Sequence, residues 1–181
     1  MNIIQNIFKP IYGKPCWEVK QGYSSFITLE FGEPKLHIYE PRQSTSDALE
    51  SVKERATRRQ IYVHGDWHLW IHICKWKIFI LGKEIANHSS SKKIIKKATA
   101  QLNGEKLINV SVGKSFITTF EFDLGGKLVS IPNKKHDLDS ELWLLYQPSG
   151  KVFTLRADGQ YSHVRGDGKE ADIWKPLINS K

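Results

Sequence analysis

The chain has 181 residues, 27 Lys+Arg against 19 Asp+Glu, a formal net charge of +8, and eight Phe, six Trp and six Tyr. At 40% hydrophobic and 25% charged residues the composition is that of an ordinary globular protein, which excludes wholesale disorder. Two cysteines exclude a disulfide scaffold, and the length suits a single domain over 1–181.

Residues 1–10 hold apolar Ile-Ile and Ile-Phe pairs but neither the basic segment nor the long apolar core of a secretory signal. No apolar run approaches the roughly 20 residues of a membrane-spanning helix. Cys16 and Cys74 form no C-x-x-C pair and read as two reduced thiols, so a cytoplasmic location and no membrane span are expected.

Tyr23, Ser25, Ile27, Leu29 and Phe31 alternate onto one face of a strand. Gly32-Glu33-Pro34 then turns the chain into a return strand over 35–39. Asp47 with Glu50 three residues on is a capping-box-like start, and predicts a surface helix or ordered loop from Asp47 to Arg58. Trp67 to Leu81 reads as one long strand. Ser89-Ser90-Ser91 offers an N-cap to a helix whose stripe is Ile94, Ile95, Ala98 and Leu102, with Asn103-Gly104 as its stop. Phe116, Thr118, Phe120 and Phe122 share a face of a further strand. Leu124-Gly125-Gly126-Lys127 turns it, and Pro148-Ser149-Gly150 and Asp158-Gly159 separate three more strands.

The chain also resembles itself. Val19, Gly22, Ser25-Phe26-Ile27-Thr28, Phe31, Leu36 and Pro41 recur in order as Val110, Gly113, Ser115-Phe116-Ile117-Thr118, Phe122, Leu128 and Pro132. A D-x-x-L-W word follows in each series, Asp66 to Trp70 and Asp139 to Trp143. This predicts an internal duplication. A first unit covers about 16–87 with an insertion at 42–60, and a linker helix occupies 89–103. A second unit covers 106–164, followed by a tail over 165–181. The fold expected is all-β, mainly antiparallel, with one or two helices and about 10–12 strands. It would be barrel-like or a two-sheet sandwich, and closure favours the barrel because it removes edges. The repeat conflicts with one strand over 67–81, since it demands a turn near Cys74-Lys75-Trp76, where no turn residue stands.

His64, His68 and His72 recur every fourth residue. On a helix that spacing suits a metal, but at about 3.3 Å per residue a strand holds His68 and His72 roughly 13 Å apart. They cannot share an ion without a fold between them, so satisfied histidines are expected, with no metal and no cofactor. If the strand is continuous, His68, Trp70, His72 and Trp76 share a face. With Trp143 they form the candidate lining of a small-ligand pocket inside a barrel. Set against this, Trp70 and Trp143 occupy the same place in the repeat and serve as core anchors, and the Asp of each D-x-x-L-W caps a turn. His136, Asp137, Asp139 and Glu141 could do acid–base work, but a polar loop explains them equally well. Arg165-Gly166-Asp167 carries no meaning without export, and no nucleophile-elbow, phosphate-loop or zinc-protease motif occurs.

The charge is spread: +3 over 1–87, +3 over 88–105, and +1 each over 106–164 and 165–181. Only Lys92, Lys93, Lys96 and Lys97 form a patch, which could meet an anionic partner. No aromatic residue accompanies them for stacking bases, so nucleic acid is not favoured. The expectation is a non-enzymatic binding module, for a small ligand in a barrel interior or a protein partner. A toxin-immunity type of protein, a binder of nucleic acid or another anion through the Lys helix, and an enzyme using the His or acidic residues stand as alternatives.

Overall fold

Phe8 decides how the chain begins. In the computed structural model, which describes residues 3–22, 24, 26–42, 50–133, 138–169 and 171–177, α1 (Ile3–Phe8) buries Ile4 and Phe8. The Phe8 ring meets Phe120 edge-on at 5.8 Å and Trp143 at 5.5 Å. The sequence offers no sign of this helix, because six residues hold too few periods to declare one and its stability comes from docking. Tyr23, Ser25, the Asp47 cap, His136 and Asp137 lie outside the described residues.

The strands follow as β1 (Cys16–Gln21), β2 (Ile27–Phe31) and β3 (Lys35–Tyr39), then α2 (Glu50–Ala56). Next come β4 (Gln60–His64), β5 (Trp67–Ile71), β6 (Lys75–Ile80), β7 (Lys83–Asn87) and α3 (Lys92–Leu102). The chain ends in β8 (Leu107–Val112), β9 (Thr118–Phe122), β10 (Gly126–Ile131), β11 (Glu141–Tyr146), β12 (Lys151–Arg156), β13 (Gln160–Arg165) and β14 (Lys175–Pro176). They pair antiparallel in a seven-stranded sheet (β1-β2-β5-β11-β12-β13-β14), a five-stranded sheet (β7-β6-β10-β9-β8) and a two-stranded ribbon (β3-β4).

Among the described residues the fold is thus mainly antiparallel β with three α-helices, and sandwich-like. The barrel alternative is overturned: among the described residues no closed barrel forms. Nor is there a barrel interior to hold a ligand. Trp76 and Trp143, two members of the expected lining, are 0% exposed, in one core with Phe8, Phe31, Phe120 and Phe153. Trp143 stacks on Phe153 at 5.5 Å and donates its indole N–H to Thr118 Oγ1 at 2.9 Å.

The long strand expected over 67–81 breaks at His72–Cys74, where the chain passes from the seven-stranded sheet to the five-stranded one. The turn is held from outside, by His72 N–H to Leu142 O and Ile73 N–H to Glu141 O, so it needs no Gly or Pro. The corresponding Pro148-Ser149-Gly150 instead closes a hairpin within one sheet. Segments 27–31 and 118–122 lie in different sheets, whereas the D-x-x-L-W strands β5 and β11 are neighbours, Trp143 opposite Ile71 and Leu144 opposite Trp70.

α3 follows its sequence signals. Ser91 Oγ accepts from Ile94 N–H, Asn103 ends the helix, and Gly104 takes φ +96°. Ile95, Ala98, Thr99 and Leu102 are buried, while Ile94 is half-exposed. Lys92, Lys93, Lys96 and Lys97 all point to solvent.

Cys16 and Cys74 are free and buried. Burial pushes both thiols up to about 12, against the ordinary value of 9.0. Only the thiolate is alkylated, so both should react on the order of a thousandfold more slowly than a free cysteine at pH 8. Intact-mass analysis after iodoacetamide should show no label on the native chain and two on the chain unfolded in urea.

Candidate functional site

The ribbon's register sorts its side chains onto two faces. Leu36 stands opposite Val63 and Ile38 opposite Ile61; alternating with them, Lys35 stands opposite His64, His37 opposite Tyr62 and Tyr39 opposite Gln60. One face is therefore wholly aliphatic. The other is aromatic, imidazole and polar, and borders a groove of ≈ 480 Å³ lined also by His68, Trp70 and Tyr146 of the seven-stranded sheet.

Two short turns seat the ribbon. At the β2–β3 turn Gly32 takes φ +82°, and Asp66 Oδ2 accepts from Glu33 N–H at 3.0 Å while its other oxygen pairs with Lys35. The Lys35 ammonium, helped by the Glu33 N–H, holds the Asp66 carboxyl below its usual range. Asp66 thus caps a turn, as the D-x-x-L-W pattern predicts. At the β4–β5 turn, Gly65 lies so close to β2 that a Cβ there would sit 2.4 Å from the Phe31 carbonyl oxygen. This approach folds His64 back over His68.

Glu30 is the result of that folding. It is opposite His68 in register, on the outer face of β2, yet only 2% exposed because the turn covers it. A buried carboxylate requires partners. Glu30 Oε1 lies 2.7 Å from His68 Nδ1 and 3.4 Å from His64 Nδ1, and Oε2 accepts from Gly65 N–H at 3.0 Å. Burial by itself would raise this carboxyl, but the His68 contact, with Gly65 N–H and His64, holds it below its ordinary value. The ligand-capable atoms of Glu30, His64 and His68 all lie within 4.8 Å of one another. His37 adds a fourth side chain, its ring 5.2 Å from that of His64.

The residues expected to line a ligand site therefore part company. His68 and Trp70 line the groove. His72, beyond the end of β5, packs against Trp70 at 4.5 Å and Phe26 at 4.6 Å, its Nδ1 3.2 Å from Glu141. Trp76 and Trp143 are core. Trp70 is not the core anchor its place in the repeat suggests, since it lies half-buried on the outer face. The four helix lysines stand apart, with Lys92 and Lys96 on a depression shared with Glu18 and Lys20. Glu141 contacts His72, and Asp139 is exposed. Sequence reasoning set His64 and His68 aside and missed Glu30. The available signal was Gly65-Asp66, a turn pair between the two histidines.

No helix among the described residues is long and apolar enough to cross a membrane. Compared with known proteins, the chain matches no family model, no curated protein and no solved structure.

Proposed function

We propose that this protein is a non-enzymatic protein-binding module whose contact surface is the aliphatic face of the β3–β4 ribbon. The observation that carries the reading is the exposure of Leu36 (67%), Ile38 (56%), Ile61 (58%) and Val63 (43%), paired across two strands on one face. Single exposed apolar residues are common, but four contiguous ones on a projecting ribbon are the composition of an interface. A two-stranded ribbon is marginal alone, so a partner would both cover apolar area and rigidify it.

The partner chemistry that fits is an apolar surface with an acidic rim. Arg42, Arg55 and Arg58 are exposed around α2 and the end of the ribbon, and make no ion pair among the described residues. The chain carries +8, which steers acidic partners inward and opposes a second copy of itself.

The test places a photo-cross-linking residue at position 61 and, as a control, at Lys114. An acidic protein should cross-link from 61 only. Bound again in purified form, it should lose at least about thirtyfold in affinity to the double variant Ile38→Asp/Ile61→Asp. That variant should unfold like the parent, since both positions are already exposed. Adducts only between two copies of the chain, or a partner indifferent to the double variant, would overturn the reading.

A further inference from the structure

We propose that Glu30, His64 and His68 form a binding site for one transition-metal divalent cation, of the Zn²⁺ class, which ties the ribbon to the seven-stranded sheet. The site stands independently of the protein-binding reading, because His64 lies on the opposite face of the ribbon from the aliphatic patch, and Glu30 and His68 lie in the seven-stranded sheet.

Convergence is the first argument. Both imidazoles present Nδ1 to the same oxygen, Glu30 Oε1, at 3.4 and 2.7 Å. Ligand atoms at about 2.0 Å from a tetrahedral ion lie about 3.3 Å from one another. The 3.4 Å separation already has that value, and the 2.7 Å one reaches it by opening about 0.6 Å. All three ligand atoms fall within 4.8 Å of one another.

Preorganisation is the second. Glu30 and His68 are cross-strand neighbours in regular sheet, so their Cβ positions are fixed by the β2–β5 register. The Gly65 N–H holds Oε2, which aims Oε1 at the histidines, the role an outer-shell donor plays at a metal site. His64 is delivered by the Gly65 turn, whose close approach to Phe31 admits no side chain.

Ligand chemistry selects the ion. Two imidazoles and one carboxylate suit Zn²⁺ and its neighbours, whereas Ca²⁺ and Mg²⁺ take oxygen-rich sets. Three protein ligands leave a fourth position, on the groove side where His37 stands. An ion here would bridge β2, β4 and β5, and so fix the ribbon's angle to the body.

The test uses the full, untagged chain stripped of metal and titrated with Co²⁺, whose visible absorption intensifies when it enters a four-coordinate nitrogen–oxygen site. One Co²⁺ should bind per chain and be displaced by Zn²⁺. His64→Ala and Glu30→Gln should each weaken binding by at least about a hundredfold, while His163→Ala, on β13, should leave it unchanged. His64 is part-exposed and Glu30→Gln is isosteric, so circular dichroism should show both variants folded. If Glu30→Gln fails that check, His64→Ala alone decides. Absorption that stays that of hydrated Co²⁺, or an affinity unmoved by His64→Ala, overturns the site.

Discussion

Trp143→Ala should destabilise the protein by about 3–5 kcal/mol in urea denaturation, whereas Trp70→Ala, at the matching place in the D-x-x-L-W word, should cost about 1 kcal/mol. Trp143 is 0% exposed and sits among Phe8, Phe120 and Phe153, where α1 and strands of both large sheets meet. Truncation opens a cavity lined by rigid rings that cannot collapse into it, so the cavity cost adds to the lost transfer energy. The indole N–H bond to Thr118 is the smaller part, worth about 1 kcal/mol, since Thr118 Oγ1 retains a contact to the Phe116 carbonyl. Trp70 lies half-buried on the outer face and meets Phe26 edge-on at 5.6 Å. Water can fill the space it leaves. A single domain typically has 5–15 kcal/mol in total, so the first change consumes a large share and the second does not. Equal losses at the two tryptophans would mean that Trp70 is as much a core residue as Trp143, and would undo the assignment of an inner and an outer face to β5 and β11.

The contrast shows what local pattern can and cannot carry. β9 alternates buried and open positions residue by residue, so period-2 reading finds it and the turn at Gly125 that follows. α3 was legible because its cap, stripe and stop are all local. The choice between barrel and sandwich was not, because it depends on which edges pair across distances that no local signal reports. The break at His72–Cys74 escaped for the same reason. Its stabilising hydrogen bonds come from Glu141 and Leu142, some seventy residues away, and once it exists Trp76 belongs to the other sheet. Trp70 and Trp143 carry the same word, yet one faces out and the other in, because similarity of sequence does not specify which layer covers a strand. The Glu30–His64–His68 cluster was half legible. The argument that a strand separates histidines four apart is sound for His68 and His72. It fails for His64 and His68, because Gly65-Asp66 folds the chain between them, and Glu30 joins them only through the β2–β5 pairing.

Gly65→Ala should cost about 2–4 kcal/mol and detach the ribbon, although it adds a single methyl group. The added Cβ would lie 2.4 Å from the Phe31 carbonyl oxygen and 2.9 Å from its nitrogen. Both are backbone atoms inside the β1–β2–β5 ladder and cannot yield, so the 65–66 turn must move instead. That movement lengthens the Gly65 N–H bond to Glu30 and lifts His64 away from it, leaving a carboxylate that is 2% exposed with fewer partners. Unmade hydrogen bonds to a buried charged group cost more than the same bonds contribute when intact, so this term exceeds the steric one. Gly82→Ala is the control: at φ +80° with nothing within 4 Å of its Cβ, it incurs only left-handed backbone strain, about 1 kcal/mol. Limited proteolysis separates the two. The ribbon strands β3 and β4 of Gly65→Ala should be cut faster than in the parent while the two large sheets stay protected, and Gly82→Ala should keep the parent pattern. A Gly65→Ala protein as stable and as resistant as the parent would show that the turn has room to spare, and that the seating of the ribbon does not depend on its contact with Phe31.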